Sequence, residues 1–215
     1  MSSMMKGIVG IIPLFALVAL LTPSCSSTEK QDEYHDWQER NDAFIEDVAD
    51  EVKLYADRGI RYDNASVGDR FRLPSYKLDS LRDDWNTSDY IYCTVIAKGN
   101  GTESPLYTDS VRIHYRCRLM PTDEHPNGFV AEQTYKTALP DIEVNVPKDF
   151  VVSGLVCGVA TALQKMKVGD HWQLHIPYEL GYNASVKTNI PAYSTLVFDI
   201  RLLASSHVGT PLPKM

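Results

Sequence analysis

The stretch KVGDHWQLHIPYELGY, Lys167–Tyr182, joins a turn, a strand and an unusual exit from that strand. Lys-Val-Gly-Asp is typical of a turn, and the residues that follow alternate apolar and polar side chains, which predicts a strand with one buried face. The strand then runs into Pro177, which cannot donate a hydrogen bond to a neighbouring strand. Pairing is therefore expected to end at Pro177, and the chain places a tyrosine, Tyr182, just beyond the end of the strand.

The chain after residue 60 is predicted to consist mainly of strands and turns. Alternating apolar residues predict strands at Arg70–Leu73, Asp89–Gly99, Asp109–Met120, Asp141–Pro147, Asp170–Pro177 and Tyr193–Ala204, and FVAEQTYK adds a short edge segment. One helix, Cys157–Gly169, has apolar residues at helical spacing. Strands in this order, with one short helix before the last two, favour an α+β domain. A single antiparallel sheet is expected to curl around the helix.

The formal net charge of −7 is concentrated near the N-terminus. Residues 29–58 hold 11 acids and 4 bases, so the rest of the chain is neutral. Within this segment, residues 35–59 are predicted to form an acidic amphipathic helix that ends at a glycine. Its apolar stripe must be buried against another surface. We expect that surface to be the globular domain; the alternative is a second copy of the helix, which would make a homodimer. The stripe consists of Trp37, Phe44, Ile45, Val48, Val52, Tyr55 and Ala56.

Residues 1–25 indicate export. Lys6 precedes an apolar run, Gly7–Leu21, that is short for a membrane span. The next residues, TPSCSS, resemble the lipobox of bacterial lipoproteins, in which the cysteine, here Cys25, is lipidated and becomes the mature N-terminus. Thr22 stands where leucine is usual, and the alternatives are secretion with cleavage near Cys25 or an uncleaved anchor. Lipidation implies a cell-envelope protein on a membrane surface, with residues 26–34 as a polar tether.

The sequence shows no signature of metal, nucleotide or nucleophilic chemistry. It contains no G-x-S-x-G, no H-E-x-x-H, no P-loop and no dinucleotide-binding glycine pattern. Cys93, Cys117 and Cys157 each lie in an apolar run, fit no metal-site spacing and are predicted to be buried thiols. The negative net charge argues against a nucleic-acid partner. We therefore expect no metal, no cofactor and no nucleic acid.

Taken in order, four blocks of the second half resemble the FKBP-type peptidyl-prolyl isomerase domain. They are VRIHYRCR, GFVAEQTYK, GLVCGVATALQKMKVGDHWQLHIPYELGY and NIPAYSTLVFDIRLL, and the last two are the most specific. The resemblance covers about half of the chain, and we place an FKBP-like domain at 89–206, after a turn-rich connector at 60–88 and before a tail at 207–215. It implies a twisted antiparallel sheet around one short helix, with a pocket between sheet and helix.

The resemblance implies roles for individual pocket residues. Tyr115 matches a tyrosine of the pocket wall, and Tyr182 matches a loop tyrosine whose hydroxyl binds a substrate carbonyl. Leu155 and Val156 match the pair before the helix, in which the backbone N–H of the second residue holds a substrate carbonyl. Two further matches are a rim residue and a floor aromatic, Ile190 and Phe198.

The chain departs from the family's pattern on the facing wall. Ala131 and Glu132 stand where the family has Phe-Asp, Val159 stands for the tryptophan of the pocket base, and Val146 or Val144 stands for another wall aromatic. The implied catalytic set is Tyr115, Glu132, Val156, Tyr182 and Phe198. The implied substrate-binding set is Ala131, Val146, Leu155, Val159 and Ile190. Nearby aromatic residues that could compensate for the lost bulk are Phe150 and Trp172.

Three functions are compatible with these observations. The favoured one is an envelope peptidyl-prolyl isomerase that binds proline-containing polypeptides and assists the folding of exported proteins. The replacement of aromatic pocket residues by smaller ones also fits a non-catalytic FKBP-like module that binds a peptide or a partner. In the third, the helix at 35–59 dimerises the chain and the domain serves only as a scaffold.

Overall fold

The structure is a computed structural model that describes residues 32–78, 82, 84–137 and 144–214. The predicted signal peptide at 1–25, with Cys25, and most of the tether at 26–34 lie outside the described residues. No helix in the part of the chain that is described is long and apolar enough to cross a membrane.

An antiparallel sheet of seven strands forms the centre of the molecule. Its strands are β1 Arg70–Pro74, β2 Tyr90–Ala97, β3 Ser110–Leu119, β4 Val130–Gln133, β5 Lys148–Val151, β6 His171–Ile176 and β7 Leu196–Ser206. Two α-helices accompany the sheet, α1 at Trp37–Ala56 and α2 at Cys157–Leu163. The strand order is β1-β2-β6-β7-β3-β4, and β5, which lies off this path, also pairs with β3. The predicted α+β class, with a sheet around one short helix, is confirmed.

Helix α2 packs tightly against the inner face of the sheet. All of its residues except Cys157 are buried. A Cβ atom added to Gly158 would lie 2.4 Å from the side chain of Ile176 in β6, so the absence of a side chain at this position lets helix and sheet approach. The helix ends at Leu163, earlier than predicted, because the N–H groups of Lys165 and Met166 both bond the carbonyl of Ala162 and turn the chain towards β6.

Helix α1 lies on the domain with its apolar stripe inward, as the favoured prediction has it. Trp37 belongs to the main core, and Ile45, Val48 and Val52 form a second cluster with Tyr92 of β2. The stripe is therefore covered by the chain's own sheet. A dimer formed through the same stripe would first require α1 to leave the domain.

The predicted strand at Asp141–Pro147 is wrong in register. Residues 141–143 lie outside the described residues, and the side chains of Val144 and Val146 are 75% and 79% exposed. Pairing with β3 instead begins at Lys148, opposite Ile113. Pro147 has no N–H for a ladder bond, so the strand begins after it.

The segment predicted as a connector, residues 60–88, contributes to the sheet. Its strand β1 pairs along its whole length with β2, from Arg70 opposite Thr94 to Pro74 opposite Tyr90. The prediction of a short strand near Arg70–Leu73 is confirmed. Residues 32–214 accordingly belong to one compact unit.

Candidate functional site

A mostly apolar cavity of about 200 Å³ opens between α2, the inner face of the sheet and the loop after β6. Seven of the ten predicted pocket residues line it. They are Tyr115, Glu132, Leu155, Val156, Val159, Tyr182 and Phe198. Three other residues line it: Ile113 and Gly154, which the sequence did not assign to the pocket, and Phe150, which the sequence offered only as a nearby aromatic that could compensate for lost bulk.

Phe150 forms the part of the cavity wall that was predicted to be formed by Val146 or Val144. Its ring lies 6.0 Å from the ring of Tyr115, and Phe198 lies 6.1 Å from the same ring on another side. Val146, predicted to stand on this wall, is exposed and does not line the cavity. The two-residue periodicity of Val144 and Val146 misled the prediction, because the strand register is set after Pro147.

Ala131 and Ile190 do not line the cavity. Ala131 packs against the core, and its carbonyl accepts a hydrogen bond from the side chain of Asn189 at 3.5 Å. Ile190 is buried and faces a separate open groove beside Tyr34 and Phe129. Trp172 packs edge-on against Phe71 in the core and adds no surface to the cavity.

The polar wall of the cavity is a three-residue cluster. The hydroxyl of Tyr115 donates to Oε1 of Glu132 at 2.5 Å, and the ammonium of Lys148 donates to the same oxygen at 2.6 Å and to the Tyr115 hydroxyl at 3.3 Å. Strands β3, β4 and β5 each supply one member, and both β4 and β5 pair with β3, which brings the three side chains together. The sequence did not predict the role of Lys148, because this contact depends on the register of β5.

Glu132 and Tyr115 each have a shifted pKa in this cluster. Partial burial alone would raise the pKa of Glu132, but hydrogen bonds from Lys148 and Tyr115 outweigh it and hold the pKa below its usual value. Burial and the bond to Glu132 raise the pKa of Tyr115 far above its usual range. Glu132 is therefore an anion, and Tyr115 is neutral with its single proton committed to Glu132.

Two hydrogen-bond donors at the cavity have no protein acceptor among the described residues. One is the hydroxyl of Tyr182, and the other is the backbone N–H of Val156, which immediately precedes α2. Burial raises the pKa of Tyr182, so the hydroxyl keeps its proton. An apolar cavity with two free neutral donors suits a ligand that presents carbonyl oxygens beside an apolar ring.

The loop after β6 fixes the position of Tyr182. Strand β6 ends at Ile176, and the carbonyl of Tyr178 then accepts the N–H groups of Gly181 and Asn183. Asn183 has a positive φ of 52°, a conformation that asparagine tolerates better than most residues. The expected end of pairing at Pro177 is confirmed, and the turns that follow bring the Tyr182 side chain to the cavity.

The part of the chain that holds this cavity is similar to known proteins. The model of the FKBP-type peptidyl-prolyl cis-trans isomerase family matches residues 101–203. FK506-binding protein 1 of Aspergillus oryzae is 31% identical over 112 residues, which cover 51% of this chain and 92% of that protein. The chain belongs to the FKBP-type peptidyl-prolyl cis-trans isomerase family.

Two bacterial proteins are also similar to part of this chain. The FKBP-type 22 kDa peptidyl-prolyl cis-trans isomerase of Escherichia coli strain K12 is 36% identical over 110 residues, 51% of this chain and 47% of that protein. The crystal structure of FkpA from Escherichia coli superposes with a TM-score of 0.47 at 24% identity, covering 79% of this chain and 64% of that one. The chain thus spans about half the length of the 22 kDa relative.

The rest of the described chain offers little for other chemistry. No group of three or more histidine, cysteine or acidic side chains that could hold a metal ion occurs within residues 32–78, 82, 84–137 and 144–214. Cys93 and Cys117 are buried free thiols, as predicted, while Cys157 is only half-buried and lies 3.1 Å from the hydroxyl of Ser75. The cavity beside α2 is the best-formed candidate site.

Proposed function

We propose that the chain is a peptidyl-prolyl cis-trans isomerase that acts on X-Pro bonds of polypeptides bound in the cavity beside α2. The observation that carries the proposal is the pairing of an apolar cavity with two donors that bond no described residue, the Tyr182 hydroxyl and the Val156 N–H. Membership of the FKBP-type family supports the same activity. The substrates are proline-containing polypeptides.

The chemistry needs no nucleophile. Rotation about an X-Pro bond must overcome a barrier of about 18–20 kcal/mol, because the twisted amide loses its resonance. The twisted amide has less charge separation than the planar one, so an apolar enclosure of Phe150, Val159 and Phe198 favours it. Donors fixed at Tyr182 and Val156 hold the flanking carbonyls in the geometry of the twisted state.

Tyr115 and Glu132 act as the polar wall in this proposal. The proton of the Tyr115 hydroxyl is committed to Glu132, so Tyr115 offers its ring and its oxygen to the substrate and leaves donation to Tyr182. The predicted catalytic set of Tyr115, Glu132, Val156, Tyr182 and Phe198 is retained as part of the proposal. Phe150 joins the substrate-binding set in the place proposed for Val146.

The direct test is acceleration of cis-trans isomerisation in a series of X-Pro peptides, followed by protease-coupled absorbance. We expect kcat/KM well above that of a variant with the cavity blocked, such as Gly154→Trp, which keeps the cluster at Tyr115 intact. Gly154 has no heavy atom within 4 Å of an added Cβ, so the larger side chain meets open space where it begins. No acceleration by folded protein at high concentration would reject the enzymatic role.

A second candidate is a binding module without significant catalysis, and it rests on the small side chains of Ala131 and Val159. Ala131 contributes no surface to the cavity, and Val159 forms a floor that is smaller than an aromatic one. This role predicts that X-Pro peptides shift the NMR signals of the cavity residues without any acceleration of isomerisation. The two measurements together separate the candidates.

We also propose that the protein is held in the bacterial cell envelope through a lipid on Cys25. The supporting observation is the sequence TPSCSS after an apolar run. Cys25→Ala should abolish incorporation of labelled fatty acid and move the protein from the membrane fraction to the soluble fraction. Incorporation that survives the substitution would refute the assignment.

A further inference from the structure

Helix α1 contacts both ends of the loop that carries Tyr182. The indole N–H of Trp37 donates to the hydroxyl of Ser194 at 2.9 Å, and the backbone N–H of Thr195 donates to Oδ1 of Asn41 at 2.7 Å. These two bonds are buried, and they hold the point where the loop enters β7. At the other end, the side chain of Gln38 donates to the hydroxyl of Tyr178 at 3.2 Å.

The loop is also closed on itself between those two ends. The rings of Tyr178 and Tyr193 meet edge to face with centroids 5.4 Å apart, and the N–H of Tyr193 donates to the carbonyl of Asn183 at 2.8 Å. Ser194 also connects α1 to the preceding residues of the loop, since its hydroxyl donates to the carbonyl of Pro191 at 2.8 Å. Tyr182 lies within this loop, directly before Asn183, whose carbonyl accepts the bond that closes it.

Asn41 is the least replaceable part of the contact. It lies on the inward face of α1 and is fully buried, although a polar side chain at such a position is costly unless every group is bonded. Both ends of its amide are satisfied, because Nδ2 donates to the carbonyl of Trp37 at 2.6 Å and Oδ1 accepts from Thr195. An apolar residue would suit packing alone, so the amide is explained by the bond to the loop.

We propose that α1 acts as a clamp for the catalytic loop, with Asn41 and Trp37 as positioning residues that hold Tyr182 at the cavity. Neither residue lines the cavity. The helix lies outside the residues matched by the family model, so the clamp is an addition to the isomerase domain. The catalytic part of this inference rests on the proposed isomerase function, and the structural part does not.

The test compares two substitutions on the same helix. Asn41→Leu keeps the approximate size and removes the bond to Thr195, whereas Val52→Ala weakens the packing of α1 on Tyr92 about 16 Å further along the helix. Hydrogen exchange of residues 178–195 and kcat/KM for an X-Pro peptide are measured in the wild type and both variants. Thermal unfolding reports the loss of stability in each.

We expect Asn41→Leu to accelerate exchange in the loop and to lower kcat/KM about tenfold, because small misplacements of binding groups reduce rates strongly. Val52→Ala should lower the unfolding temperature and leave loop exchange and kcat/KM unchanged. Equal loop exchange in the wild type and Asn41→Leu would overturn the clamp, as would equal effects of the two substitutions.

Two further outcomes remain decisive. If Asn41→Leu does not fold, Trp37→Phe replaces it. This variant keeps an aromatic ring in the core, and it removes the N–H bonded to Ser194 together with part of the packing surface of the indole. Unchanged loop exchange in this variant overturns the clamp. If the wild type shows no isomerase activity, the proposed function fails, and loop exchange alone still decides whether α1 holds the loop.

Discussion

Replacing Tyr182 by phenylalanine separates catalysis from stability. The substitution removes a single hydroxyl that has no protein partner among the described residues and keeps the ring that lines the cavity. No hydrogen bond to a described residue is lost and no buried group among those residues is left unsatisfied, so the free energy of unfolding should change by less than about 0.5 kcal/mol. The lost bond to a substrate carbonyl is worth about 0.5–1.5 kcal/mol, which corresponds to a fall of about twofold to tenfold in kcat/KM.

Tyr115→Phe is the matched control, since it removes the same atom from the opposite wall. The Tyr115 hydroxyl donates to Glu132 at 2.5 Å and accepts from Lys148 at 3.3 Å, so its loss breaks an existing network. We expect a loss of about 1 kcal/mol in the free energy of unfolding. The effect on kcat/KM should be smaller than that of Tyr182→Phe, because Tyr115 has no free proton for the substrate.

The assays are protease-coupled isomerisation of an X-Pro peptide and urea unfolding followed by circular dichroism. The contrast between the two variants matters more than either value. If Tyr182→Phe lowers stability as much as Tyr115→Phe, its hydroxyl is bonded within the protein and the assignment of free donors is wrong. An unchanged kcat/KM in Tyr182→Phe would remove the hydroxyl from the mechanism.

Three other substitutions test the remaining features of the structure. Lys148→Met removes the cation that keeps the pKa of Glu132 low. The acid limb of kcat/KM, measured between about pH 4 and pH 8, should therefore move to higher pH. Stability should fall by at most about 1 kcal/mol, because the side chains of Lys148 and Glu132 are both about half exposed. Val159→Phe should raise the affinity for an X-Pro peptide about twofold to tenfold in an NMR titration. A protein cavity of about 150 Å³ can hold benzene, so this cavity of about 200 Å³ leaves room for an aromatic contact. Burial lowers the pKa of His175 to about 4, below its unfolded value, so its contribution to stability is complete above about pH 6.5 and is lost as the pH falls towards 4. The substitution His175→Gln should reduce this loss of stability at acid pH by no more than about 3 kcal/mol, as measured by thermal unfolding.

Each of these has a clear contrary result. An unchanged acid limb in Lys148→Met would mean that Lys148 does not control the ionisation of Glu132. Weaker peptide binding by Val159→Phe would show that the cavity has no space to spare. An acid-side loss of stability in His175→Gln equal to that of the wild type would assign the loss to the carboxylates with lowered pKa values, such as Asp199 and Glu33.

Local patterns predicted those elements whose burial follows a simple period. Strands β6 and β7 alternate buried and less buried residues over most of their length, and both were located to within a few residues from their apolar faces. Helix α1 was located by a stripe that the structure buries, although the buried Asn41 in that stripe was not predicted. A polar residue inside a stripe carries no sign of a partner, since Thr195 lies 154 residues away.

The wall of the site depended on information that no short window contains. Val144 and Val146 alternate as a half-buried strand would, yet they are exposed, and Phe150 forms the wall instead. The choice between them depends on where β5 begins to pair with β3, and a one-residue slip sends every side chain to the opposite face. Lys148 enters the cluster for the same reason.

The sequence by itself determined the fold class, the family and seven members of the cavity, because strand periodicity and the block from Lys167 to Tyr182 are local properties of the chain. Only the tertiary structure decided the partners across the sheet: Lys148 with Glu132, and Asn41 with Thr195. Such contacts join residues that are distant in sequence. They form only when packing of the whole domain fixes the strand register and the position of α1.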